Sequence, residues 1–135
     1  MKALARRDDG SFRHTVEVRG HDLVADETTE HGGTDTGPTP QELLAASLAS
    51  CTAVTMEMYA KRKDWDLSGV EVEVDYEPAQ RGSVTRFTMV IRLPEELPAD
   101  QRAKLLQVAA KCPVHRTLEG EVMFEDRVEL TSKAR

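Results

Sequence analysis

The chain has 135 residues and a formal net charge of −6, a length that suits one domain built on one core. With no basic stripe to follow phosphates, the acidic balance excludes a general nucleic-acid binder. No apolar leader follows Met1 and no charge-free run is long enough to cross a bilayer, so neither secretion nor a membrane anchor is expected.

In chain order, residues 2–8 suit a short strand. Phe12, His14, Val16 and Val18 alternate with polar residues, the period of a half-buried strand. Gly20-His21 suits a turn and Leu23 to Asp26 a return strand, giving a small antiparallel sheet. His31 to Pro38 (HGGTDTGP) is a loop dense in turn formers. Thr39-Pro40-Gln41-Glu42 then opens a helix: Thr with Glu three residues on is a capping box, and Pro suits the first helical position. From Leu43 to Met56 no residue is charged, and apolar side chains fall on every side of the wheel. Such a helix must be covered all round, so Cys51 in its middle is expected to be almost fully buried. Lys61-Arg62-Lys63 suits a helix C-terminus.

Beyond a break at Asp64 to Gly69, Val70, Val72, Val74 and Tyr76 alternate with acids, and Phe87, Met89, Ile91 and Leu93 repeat the pattern as a hairpin. Pro94 and Pro98 open a helix over about Ala99 to Lys111, and Pro113 forces a break at Cys112. A short helix from Pro113 to about Glu119 follows. Val122 and Phe124, then Val128 and Leu130, read as a last strand. The order is β-β-β-α-β-β-α-α-β, an α+β domain spanning residues 1–135.

Chemistry rests on the two cysteines. Without a secretory leader they fit a reducing, cytoplasmic setting, where a Cys pair is more often redox-active than a staple. Cys51 alone reads first as a small core residue. Cys112 sits before Pro113 at a helix start, near Lys111, His115 and Arg116, a setting that favours the thiolate. Cys112 and His115 also have the spacing of two metal ligands, with Cys51, His31 or His21 as further donors. No second close-spaced pair completes a site, so no metal and no cofactor are expected.

The run Gly37-Pro-Thr-Pro-Gln-Glu-Leu-Leu-Ala-Ala-Ser-Leu-Ala-Ser-Cys51-Thr, with Cys112-Pro-Val-His115 later, resembles the OsmC/Ohr family, in particular its OsmC-like branch. The resemblance spans about Val16 to Leu130. It implies an intertwined homodimer with the Cys-bearing helices buried between sheets of both chains. It implies a thiol-dependent peroxidase acting on organic hydroperoxides or hydrogen peroxide. Cys51 would attack the peroxide and become a sulfenic acid, Cys112 would resolve it to a disulfide, and an external thiol or dithiol would restore both. In the hydroperoxide reductases an Arg of the N-terminal sheet, held by a Glu early in the central helix, activates the attacking thiol. Here the position of that Glu holds Gln41, with Glu42 next to it. The Arg would be Arg19, with Arg13, Arg6 and Arg7 as alternatives. A second reading of the same fold is a non-enzymatic carrier of a small hydrophobic ligand.

Overall fold

The computed structural model describes residues 1–132. Three consecutive strands, β1 (Leu4–Arg7), β2 (His14–Val18) and β3 (His21–Ala25), form an antiparallel sheet in that order. The β2–β3 hairpin closes through Arg19 and Gly20, at φ 48° and 80°. Two left-handed residues are what a two-residue hairpin turn of matching twist requires. This fixes the register in which Val16 stands opposite Leu23 on one side and Ala5 on the other.

The chain then winds through a 3-10 turn at Thr29–His31 into α1 (Pro40–Lys63). Both halves of the capping box form: Glu42 N–H donates to Thr39 Oγ1 at 3.1 Å, and Thr39 N–H to Glu42 Oε1 at 2.9 Å. Such a cap contributes about 1 kcal/mol. Asp64, left-handed at φ 59°, ends the helix. Its most apolar window has a mean hydropathy of 1.3, and at 24 residues α1 has the length of a membrane span, longer than the charge-free run suggested. Here it lies against β4 (Glu71–Glu77), α2 (Ala99–Ala109) and α3 (Pro113–Glu119), as a core helix does.

β4 pairs with β5 (Arg86–Arg92) so that Val72 faces Ile91, Val74 faces Met89 and Tyr76 faces Phe87. The Tyr76 and Phe87 rings stack at 4.7 Å, a contact of about 1 kcal/mol beyond burial alone. The core gathers Met56, Ala60, Leu67, Leu97, Leu105 and Ala109, with Tyr59, Trp65, Val72 and Ile91 packed around them. α1 contributes Leu48, Thr52, Met56 and Ala60, one stripe at a spacing of four.

One expectation is corrected. Residues 121–132 form no strand, and Val122, Phe124, Val128 and Leu130 are exposed. Their alternation is real, but a strand exists only against a neighbour that takes its hydrogen bonds, and among the described residues no strand does. One chain alone does not cover α1 all round: Val54 and Met58 lie open at 46% and 64%, and Cys51 is only partly buried. The β1–β2–β3 sheet makes its main contacts within itself and leaves that side of α1 bare.

Candidate active site

The two cysteines come together where α1 passes the start of α3. Cys112 is the N-cap of α3, extended at φ −61° and ψ 140°, with Pro113 fixing the first helical position. Its Sγ takes the place an Asp or Ser oxygen would hold, accepting the His115 N–H at 3.3 Å. Cys51 on α1 lies within hydrogen-bonding reach of Cys112, and the Val114 N–H faces both sulfurs. Both thiols are free.

The residue after Cys51 completes the group. Thr52 is fully buried, donates to the Leu48 carbonyl at 2.8 Å, and stands 3.8 Å from Cys112 Sγ and 3.7 Å from Met89 Sδ. No role for it was visible in the sequence. Its signal was a hydroxyl placed four residues from Leu48 and Met56 on the buried stripe.

The electrostatics divide the pair. Burial pushes the Cys112 thiol up, but the His115 N–H, the Cys51 thiol, the Thr52 hydroxyl and the Val114 N–H outweigh it and hold Cys112 below its ordinary value. Burial pushes Cys51 up, the Val114 N–H opposes it, and the hydrogen bond to Cys112 and its charge push further upward. The two titrate as one system, in which the first proton lost leaves a Cys112 thiolate hydrogen-bonded by the Cys51 thiol. Access divides them the opposite way: Cys112 is fully buried and Cys51 partly open.

The other residues singled out in the sequence lie elsewhere. Glu42 is about 13 Å before Cys51 along the helix axis, and its carboxylate is engaged in the cap. Gln41 and Glu42 line a cavity of 650 Å³ with Glu27, His31, Ala45 and Tyr76. The sulfurs, not that volume, mark the candidate site. Arg19 is in the β2–β3 turn, Arg13 pairs with Asp8, Arg6 with Glu17, and Arg7 donates to the Gly10 carbonyl. Among the described residues no arginine hydrogen-bonds to either cysteine. A smaller cavity of 330 Å³, lined by Leu48, Phe87, Met89, His115 and Leu118, adjoins the Thr52–Cys112 cluster.

A second buried group also escaped the sequence reading. Asp26 is 2% exposed and accepts from the Thr34 hydroxyl at 2.7 Å, from the Thr36 hydroxyl at 2.7 Å and N–H at 3.0 Å, and from the Glu27 N–H at 2.7 Å. These donors, Thr36 first, hold its carboxyl far below the usual carboxylate range. The knot closes the loop that leads into α1. Within it, Gly33 lies so close to the Glu27 backbone that a Cβ would meet its carbonyl oxygen at 2.0 Å.

Residues 33–125 match the family model described as OsmC-like protein. An uncharacterized protein of Haloferax volcanii is 28% identical over 120 residues, 87% of this chain and 86% of that one. The OsmC-like protein from Mycoplasma pneumoniae superposes with a TM-score of 0.74 at 20% identity, covering 88% of this chain and 86% of that one. The organic hydroperoxide resistance protein OhrB of Bacillus subtilis does so at 0.60 and 20% identity, covering 88% and 90%. These structural likenesses establish the fold.

Proposed function

The chain belongs to the OsmC-like family, and on that footing we propose that it is a cytoplasmic, homodimeric, thiol-dependent peroxidase that reduces organic hydroperoxides or hydrogen peroxide. The observation that carries this reading is the pair of neighbouring free thiols, one accessible and one held toward its anion.

The reaction divides between the two sulfurs. The Cys51 proton passes to the neighbouring Cys112 thiolate, leaving the anion on the sulfur a peroxide can reach. Cys51 attacks the terminal peroxide oxygen; the S–O bond forms, the O–O bond breaks, and the departing alkoxide takes the proton from Cys112. Cys112, again a thiolate, attacks the Cys51 sulfenic acid; the disulfide forms and hydroxide leaves, protonated from solvent. Two thiols are oxidised and one peroxide is reduced to an alcohol (or water) and water. An external thiol then returns both cysteines.

The homodimer is supported by what one chain leaves unpartnered: the bare side of α1, the separate β1–β2–β3 sheet, and the exposed apolar residues between Val122 and Leu130. An arginine donor to Cys51, Arg19 first among the candidates, would then come from the sheet of the partner.

Thiol counting before and after one equivalent of an organic hydroperoxide, without oxygen, tests the reaction. Two thiols should be lost. Cys51→Ser should consume no peroxide, and Cys112→Ser should consume one equivalent more slowly, the Cys51 proton then going to solvent, and carry +16 or +32 mass units on the Cys51 peptide. No thiol loss in the wild type would refute the peroxidase and favour a ligand carrier. Reaction surviving in Cys51→Ser but lost in Cys112→Ser would reverse the roles.

A further inference from the structure

Thr52 has one hydroxyl proton and three acceptors around it: the Leu48 carbonyl at 2.8 Å, Met89 Sδ at 3.7 Å and Cys112 Sγ at 3.8 Å. Once Cys112 is a thiolate it draws the hydroxyl most strongly, because a charged acceptor makes the stronger hydrogen bond. A thioether sulfur is the weakest of the three. While Met89 stays a thioether, the hydroxyl is free to turn to Cys112.

Met89 stands where that can change. It belongs to the half-buried face of β5, opposite Val74, whereas Met56 on α1 is fully buried. It lines the 330 Å³ cavity with Leu48, Phe87, His115 and Leu118, a volume that admits a small hydroperoxide. Leu48 and Thr52 lie on the stripe of α1 that this chain itself buries. The setting of Met89 is therefore complete in one copy, away from Val54 and Met58.

We propose that Met89 is a site of oxidation to the sulfoxide by hydroperoxide, and that the sulfoxide holds Cys112 back from resolving Cys51. The second half rests on the peroxidase cycle above. The Met89 sulfur attacks the terminal peroxide oxygen; an S–O bond forms, the O–O bond breaks, and the peroxide's own proton ends on the departing alkoxide. The thioether gives up two electrons and the hydroperoxide becomes an alcohol. The new oxygen stands on a sulfur already within reach of the Thr52 hydroxyl, and it makes a weak acceptor into a polar one. It takes the hydroxyl, and the Cys112 thiolate loses that donor. The Cys51 sulfenic acid then persists and moves further up the oxidation ladder. A thiolate reacts ahead of a thioether, so the device responds to peroxide left over once Cys51 is oxidised. A methionine sulfoxide reductase resets it.

The ionisation of Cys112 reads this without peroxide turnover. In Cys51→Ser protein Cys112 is the only thiol, and its thiolate absorbance is followed across pH. The protein is treated with excess organic hydroperoxide, then with dithiothreitol, which returns sulfenic acids and disulfides but not sulfoxides. The tryptic peptide Phe87–Arg92 carries Met89 as its one methionine; it should gain about 16 mass units while Met56 stays reduced. Cys112 should then ionise about 0.4 to 1 pH unit higher, the loss of one hydrogen bond, and methionine sulfoxide reductase should undo the change. Met89→Leu, close in volume, should be indifferent to the treatment. In Thr52→Val the treatment should add no shift, because the hydroxyl it acts through is gone. Met89 staying reduced under an excess that oxidises free methionine, Met56 oxidised in step with it, an unmoved Cys112, or an equal shift in Thr52→Val would overturn the device. A wild type that loses no thiol to one equivalent of hydroperoxide would reject the peroxidase and leave the coupling of Met89 to Cys112 standing.

Discussion

Replacing Thr52 by valine removes one hydroxyl from the sulfur cluster and nothing else of similar size. The Leu48 carbonyl keeps its helical N–H partner, and the added methyl lies among buried neighbours, so stability should move by no more than about 1 kcal/mol. Cys112 fares differently. Its thiolate loses the Thr52 hydroxyl 3.8 Å away, one of the donors that hold it below its ordinary value, and its pKa rises. A hydrogen bond of about 0.5–1.5 kcal/mol, felt wholly by the anion, slows disulfide formation roughly two- to tenfold near neutral pH. The deficit should vanish at alkaline pH, where Cys112 ionises without help. Rapid mixing with one equivalent of hydroperoxide, quenched with a sulfenic-acid trap, gives the rate across pH. Thr52→Ser serves as the control: it keeps the hydroxyl, loses a methyl contact, and should lower stability while preserving the pH profile. An unchanged profile in a folded Thr52→Val protein would refute the role of this hydroxyl.

Asp26 gives an acid limb to stability. Its folded pKa is depressed, so its contribution is present above the ordinary value of 3.8 and is lost as pH falls from there toward the folded value. Asp26→Asn should melt lower at neutral pH and show a flatter melting curve against pH below that point; equal acid slopes for both proteins would disprove it. The full chain should sediment as a dimer at micromolar concentration, and a chain ending at Gly120 should lose that state. A stable full-length monomer would remove the homodimer.

What the sequence made legible was local. Thr39, Pro40 and Glu42 mark the start of α1 because a cap is made by neighbours in the chain, and Pro113 marks α3 for the same reason. The alternation of Val72, Val74 and Tyr76 with acids located β4 because one wet face shows in composition. The alternation at Val122 to Leu130 failed as a strand because pairing depends on a neighbour that no local pattern supplies. The two cysteines were legible through motif resemblance. Thr52 was not: a threonine in an apolar helix gains its role only when α3 delivers Cys112 beside it. Asp26 was hidden likewise, since four of its five hydrogen bonds come from Thr34 and Thr36, eight and ten residues on.

The division between the β1–β2–β3 sheet and the unit built on α1 bears on how the chain folds. Each half pairs strands that are consecutive in sequence, so its contact order is low and its own closure is fast. On a ribosome the first sheet emerges complete before α1 exists, and α1 emerges before the β4–β5 hairpin that shields its buried stripe. For that interval the most apolar helix of the protein has no cover at all. After β4, β5 and α2 have closed over it, Val54 and Met58 still face outward. In the proposed homodimer the last step to a quiet surface is therefore governed by concentration and not by the chain's own speed. A nascent chain crowded by its copies would finish quickly; a dilute one would wait with a sticky face exposed.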